Sequence, residues 1–151
     1  MDLESFLREN GLWYRMIPKP ETVHTADAAK ATGIGLHRIT KNLVSVTNSG
    51  EHVMLIVPGD RKVDLNKAAD ALDVRRVSLV PFDQAANISG YPPGGTPSVG
   101  YKTKMRTVID ESLLEHETVY CGGGSRDRLV ELKIADVVRL NDAVVATITS
   151  D

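Results

Sequence analysis

Between residues 90 and 100 the chain reads Gly-Tyr-Pro-Pro-Gly-Gly-Thr-Pro-Ser-Val-Gly, four glycines and three prolines in eleven positions. Proline fixes φ and has no N–H, whereas glycine turns sharply and lets another molecule approach the peptide groups. The chain is therefore committed here to a loop of shaped backbone with few side chains. Two readings are open: an elaborate turn, or a cradle whose N–H groups meet a ligand's oxygen.

The rest of the chain has the makeup of an ordinary folded domain. Its 151 residues suffice for one hydrophobic core without staples, so a single domain over 1–151 is expected. With 42% hydrophobic and 25% charged residues, neither global disorder nor a membrane class is expected. The formal net charge of −2 supplies no overall basic field, so any contact with a polyanion must come from a local patch. Cys121 is the single cysteine and cannot form an internal disulfide. The opening Met-Asp-Leu-Glu-Ser-Phe-Leu-Arg-Glu-Asn has no signal-peptide pattern, and no apolar run approaches the ~20 residues a bilayer requires. A cytoplasmic protein is expected.

Hydrophobic spacing predicts a short helix at Leu3–Leu7 ended by Asn10-Gly11, a strand at 12–17, and a helix from Thr25, as its cap, to Gly33. The clearest signal is 43–47 and 53–57, two apolar strands around Asn48-Ser49-Gly50-Glu51, which predict an antiparallel hairpin. Helices follow at 65–72, 83–88 and 135–140, with strands at 77–80, 107–110, 118–121, 129–132 and 143–148. Strands outnumber helices without βαβ alternation. The expected class is α+β, with a curved, mostly antiparallel sheet.

Several chemistries lack their motifs. His24, His37, His52 and His116 show no H-E-x-x-H or H-x-x-x-H spacing, and neither G-x-S-x-G nor a P-loop is present. Cys121 ends an apolar strand and is read as a buried structural thiol. Lys41, in Ile39-Thr40-Lys41-Asn42-Leu43-Val44, stands just before such a strand. Its plain reading is a solvated strand-edge lysine; the sharper one is an ammonium projecting over the sheet's end into a cleft. Gly122-Gly123-Gly124 is either a wide bend or a second bare-backbone loop. Two such loops and one cation would make a coherent anion or carbonyl site.

In order and spacing, Thr25-Ala26-Asp27-Ala28-Ala29, Gly33, Ile39–Val44, Gly59-Asp60-Arg61-Lys62-Val63-Asp64, Gly90–Gly100, Ile109-Asp110 and Gly122–Gly124 resemble the YbaK family. That family includes the inserted editing domain of bacterial prolyl-tRNA synthetases and its free-standing relatives. The likeness runs over about residues 20–148, nearly the whole chain. It implies a compact domain built on a barrel-like sheet with surrounding helices, and a trans-acting aminoacyl-tRNA deacylase needing no metal or cofactor.

By this resemblance Lys41 is the catalytic residue. The substrate cradle it implies consists of Gly94, Gly95, Thr96, Pro97, Ser98 and Gly100, with Gly122, Gly123 and Gly124. The partner is the acceptor end of a mischarged tRNA, with an aminoacyl-tRNA synthetase as a further partner and no membrane. Lys102, Lys104, Arg61 and Lys62 are the candidate tRNA contacts, each also readable as a solvated surface charge. Many members have proline where this chain has Ser98, with Pro97 one place earlier, and one bacterial branch has serine where it has Gly122. The competing class is a non-catalytic module that binds an aminoacylated end, a nucleotide or an amino-acid-like ligand. The edited amino acid, the tRNA and the oligomeric state stay open.

Overall fold

A computed structural model describes residues 2–150. Helix α1 (Leu3–Glu9) buries Leu3 and Leu7, and β1 (Tyr14–Pro18) follows. Helix α2 (Thr25–Thr32) ends at Gly33, whose φ of 74° is the left-handed stop. Its cap is His24 rather than the expected Thr25, which is the first helical residue; the His24 carbonyl accepts the Asp27 and Ala28 N–H groups. A 3-10 turn at Leu36–Arg38 leads into the hairpin β2 (Thr40–Thr47) and β3 (His52–Pro58), with Leu43 opposite Leu55.

Next come β4 (Lys62–Val63), α3 (Leu65–Leu72), β5 (Val77–Leu79) and α4 (Phe82–Ser89). The glycine–proline loop leads to β6 (Arg106–Asp110), a 3-10 segment at Glu111–Glu115, β7 (Thr118–Gly122) and β8 (Arg128–Lys133). Helix α5 (Ile134–Asn141), β9 (Val144–Ala146) and β10 (Thr149–Ser150) complete the described chain. The predicted strand at 143–148 is thus cut short to Val144–Ala146, with a separate two-residue strand after it. Buried Asp110 supplies the reason: its Oδ1 accepts the Ile148 N–H (2.9 Å) and the Thr149 hydroxyl (3.2 Å), turning the chain away from the sheet.

The strands form sheets ordered β5-β2-β3-β6-β9, β1-β8-β7 and β10-β4. Most pairs are antiparallel, as expected for this α+β class, but β3–β6 and β6–β9 are parallel. The sheets do not close into a barrel; an isolated bridge between Ile39 and Tyr120 joins the start of β2 to β7.

Strand β3 explains the unbroken apolar run Val53–Val57, because it is covered on both sides. Met54 and Ile56 join the core that contains Val119, Cys121, Val130 and Leu132 of the smaller sheet. Val53, Leu55 and Val57 pack with Ala68, Ala69 and Leu72 of α3. A third, small cluster of Ala28, Ile39, Tyr120 and Leu129 lies under α2. Among the described residues, no helix is long and apolar enough to cross a membrane.

Candidate functional site

The small cluster under α2 floors a cavity of about 230 Å³. Ile39, Leu129 and Ala28 give it an apolar base. Lys41 and Asn42 enter from β2, Gly94 and Thr96 from the glycine–proline loop, and Gly122 from the end of β7. Thr22, Val23, His24 and Thr25 form the wall at the start of α2, and Phe82 of α4 stands at the side. The cation and both glycine loops of the sequence reading therefore border one hollow. No carboxylate or thiol lines it among the described residues, and its titratable groups are His24 and Lys41.

The loop is pinned on several sides. The Tyr91 hydroxyl donates to the Gly100 carbonyl (2.7 Å), the Gly95 N–H to the Pro92 carbonyl (2.9 Å), and the Tyr101 hydroxyl to the Pro97 carbonyl (2.9 Å). Gly124 N–H donates to the Gly95 carbonyl at 2.9 Å, joining the two glycine segments. Strand β2 holds the loop from below: the Asn42 amide donates to the Thr96 carbonyl (3.2 Å), and the Ser98 hydroxyl donates to Asn42 Oδ1 (2.6 Å) beside Thr40. After these bonds, the N–H groups of Gly94 and Thr96 have no protein acceptor among the described residues.

Close approach dictates glycine at two positions. At Gly94 φ is 85°, and a Cβ there would lie 2.7 Å from Val23 Cα. A Cβ on Gly122 would lie 2.4 Å from the Gly95 carbonyl carbon and 2.6 Å from Thr96 N. The backbone of 94–96 is thus seated directly on the α2 wall and on the end of β7, with no side chain between.

Several predicted cradle residues stand elsewhere. Gly95 spends both its N–H and its carbonyl inside the fold. Ser98 is fully buried behind the cavity, its N–H donating to Cys121 Sγ (3.2 Å) and its carbonyl accepting from Asn141 (2.8 Å). The Pro97 carbonyl is taken by Tyr101, and Gly100 packs on the Phe6 ring. Gly123 and Gly124 face a separate groove with Leu3, Met16 and Arg128. These six shape the loop and do not line the hollow. Replacing Ser98 with alanine would leave Asn42 Oδ1 without its buried donor, at a cost of about 1–3 kcal/mol. Urea unfolding should show that loss as a lower midpoint with an unchanged slope.

The Lys41 ammonium donates to the Arg61 carbonyl at 2.6 Å, which leaves further N–H donors for the hollow. Burial holds its pKa below the ordinary lysine value, with nearby Asp60 opposing the shift. Cys121 is fully buried, and burial pushes its thiol up to about 11, so it is no nucleophile. A thiol reagent should leave Cys121 unmodified in the native protein and react with it fully in denaturant.

Lys19, Asn42, His24 and Phe82 are the site residues that motif reading passes over. Lys19 lies between Pro18 and Pro20. The flanking prolines restrict the backbone there. It is buried, and its ammonium donates to the Thr22 hydroxyl (2.6 Å) and to the Arg126 carbonyl. Arg126 in turn donates to the Pro93 carbonyl at 2.8 Å. One lysine thereby ties the Thr22–His24 wall to the loop opposite. Burial lowers its pKa, against the opposing charges of Asp127 and Glu21.

The candidate tRNA contacts lie outside the hollow. Lys102 and Lys104 are exposed on the segment after the loop, and their side chains make no hydrogen bond or ion pair among the described residues. Arg61 and Lys62 are exposed beside the carbonyl that holds Lys41, and Arg61 borders a groove with Asp110, Glu111 and Glu115.

Known proteins resemble this chain in sequence and fold. A family model for the aminoacyl-tRNA editing domain matches residues 19–140. An Enterococcus faecalis protein named as a Cys-tRNA(Pro)/Cys-tRNA(Cys) deacylase, EbsC, is 29% identical over 122 residues, covering 81% of this chain and 74% of its own. The Escherichia coli multifunctional Ser/Thr-tRNA deacylase ProXp-y is 26% identical over 142 residues, 91% of this chain and 85% of its own. A crystal structure described as a trans-editing enzyme for prolyl-tRNA synthetase superposes with a TM-score of 0.87 at 26% identity, covering 99% of this chain and 96% of that one.

Proposed function

This chain belongs to the aminoacyl-tRNA editing domain family, and from that membership we propose that it is a trans-acting deacylase that hydrolyses the ester between a wrong amino acid and the terminal ribose of a tRNA. The observation that carries this reading is the shared hollow of Lys41 with the unpaired N–H groups of Gly94 and Thr96. Its named relatives include deacylases of mischarged tRNA. Such a substrate is met where translation occurs, in the cytoplasm.

The chemistry follows from what the hollow offers. Water adds to the ester carbonyl carbon, the carbonyl oxygen becomes an oxyanion, and the bond to the ribose oxygen then breaks. The water's proton passes to that leaving oxygen, giving a free carboxylic acid and uncharged tRNA. Preorganised N–H donors at 94 and 96 stabilise the oxyanion, an arrangement in which each donor is worth on the order of 10²–10³ in rate. Lys41 anchors the phosphate or ribose oxygens, or orients the water, by charge. With no carboxylate in the lining, the substrate's own vicinal hydroxyl is the group that activates the water.

An electrostatic Lys41 gives the pH profile a sign. The ammonium is the working form and burial holds its pKa below the ordinary lysine value, so deacylation above background declines as pH rises through that lowered pKa. A rate that keeps climbing through the ordinary lysine range after subtraction of uncatalysed hydrolysis would assign the function to neutral lysine.

Contact with the tRNA falls to Arg61, Lys62, Lys102 and Lys104, and the formal net charge of −2 implies weak, salt-sensitive binding. A synthetase that releases the mischarged tRNA is the natural partner. The deciding experiment is a panel of Ala-, Cys- and Ser-charged tRNAs. Release of at least one amino acid well above the uncatalysed rate is expected. Binding of all three without acceleration would instead make this a non-catalytic module.

A further inference from the structure

The mouth of the hollow carries two aromatic rings that ester hydrolysis leaves unused. His24 caps α2 and Phe82 opens α4, so two separate helices bring these rings to the lining of the hollow. Their planes lie 7° from parallel, with centroids 6.4 Å apart. Phe82 is 56% exposed, and His24 is also exposed, so packing of the core does not account for either ring. Parallel faces in one orientation at a cavity mouth suit a flat, π-rich group.

The same rings line an open groove that continues outward from the hollow, together with Glu21, Asp27 and Arg126. Arg126 gives its Nε to the Pro93 carbonyl and keeps its charge and other N–H donors in the groove, beside the carboxylates of Glu21 and Asp27. Carboxylates repel a phosphate but accept hydrogen bonds from an exocyclic amino group. Glu21 and Asp27 therefore offer acceptors for the amino edge of a purine beside the two rings. In the deacylation reading, on which this inference rests, the ester sits on the terminal ribose beside Lys41. The base on that ribose must emerge within one sugar's reach.

We propose that Phe82 and His24 form the stacking site for the terminal purine base of the tRNA, and that this site sets the ester against Lys41 and the Thr96 N–H. Phe82 supplies the main face and His24 the parallel second one. Neither residue takes part in bond making; both act through the placement of the nucleoside.

Two measurements test this. Uncharged tRNA carrying a fluorescent purine analogue at its terminal position should be quenched by the wild-type protein and by Phe82→Tyr, weakly by His24→Ala, and not by Phe82→Ala. In deacylation, replacing the terminal base with an abasic residue should lower wild-type kcat/KM roughly ten-fold to a hundred-fold. The Phe82→Ala variant should lose a similar factor on normal substrate and nothing more on the abasic one. Equal quenching by wild type and Phe82→Ala overturns the proposal, as does no quenching by wild type. So does a Phe82→Ala loss of the same size on both substrates. If the wild type deacylates no tRNA in the panel, the deacylase reading fails while the fluorescence titration still decides whether a base stacks here.

Discussion

Lys41→Ala is expected to lower single-turnover deacylation by on the order of 10²–10³ or more while the protein stays folded. Its side chain makes one recorded hydrogen bond, to the Arg61 carbonyl, and belongs to none of the apolar clusters. Thermal unfolding should accordingly shift by no more than about 1 kcal/mol. Lys41→Arg separates charge from shape. A planar guanidinium keeps the charge but cannot place one compact ammonium at both the Arg61 carbonyl and the hollow, so partial recovery at best is expected. Retained turnover in Lys41→Ala would remove the lysine from the mechanism.

Gly122→Ser is the second large effect, and backbone packing drives it. The added Cβ would meet the Gly95 carbonyl carbon at 2.4 Å and Thr96 at 2.6 Å, atoms that cannot swing away like a side chain. Overpacking of this kind costs about 1–3 kcal/mol. The shift needed to relieve it also moves the Thr96 N–H, so activity should fall on the order of 10² even where most of the protein remains folded. Gly123→Ala is the comparison: its Cβ would meet Arg128 Cγ at 2.5 Å and the Arg128 carbonyl at 3.1 Å, away from the 94–96 loop, so it costs stability but should spare the rate of the folded protein. Urea unfolding beside deacylation rates checks both. Comparable losses in the two variants would argue against a specific contact between Gly122 and the loop.

Those expectations depend on features that differ greatly in how well they can be read from the chain. The hairpin of β2 and β3 and the helix at Leu65–Leu72 are plain in the sequence because local periodicity and turn residues decide them. The parallel pairing of β6 with β3 and β9 has no local signature. It joins segments remote in sequence and is decided by which faces the core covers. The early end of the last predicted strand depends on the Asp110 carboxylate reaching across 38 residues to Ile148, which no window along the chain contains.

The site shows the same split. Lys41 and the bare loops attract notice by type, but periodicity alone favours reading Lys41 as a solvated edge residue. Among the loop residues, composition does not distinguish Gly94 and Thr96, which line the hollow, from Gly95 and Ser98, which turn into the fold. That sorting is made by hydrogen bonds: Gly95 N–H donates to the Pro92 carbonyl and its carbonyl accepts from Gly124, while Ser98 donates to Cys121 Sγ and Asn42 Oδ1. Asn42 escapes notice because an asparagine inside a strand carries no motif, although it joins β2 to the loop at both Thr96 and Ser98.

The most direct measurement follows the backbone amides of isotope-labelled protein during titration with a non-hydrolysable amide analogue of an aminoacyl-adenosine. The Gly94 and Thr96 N–H signals should move most, with smaller changes at Gly122 and Lys41, and Lys41→Ala should weaken the response without abolishing the spectrum's dispersion. Shifts confined to the Lys102–Lys104 surface, with Gly94 and Thr96 unmoved at saturation, would contradict a hollow in which one lysine and two free amides grip the same ester.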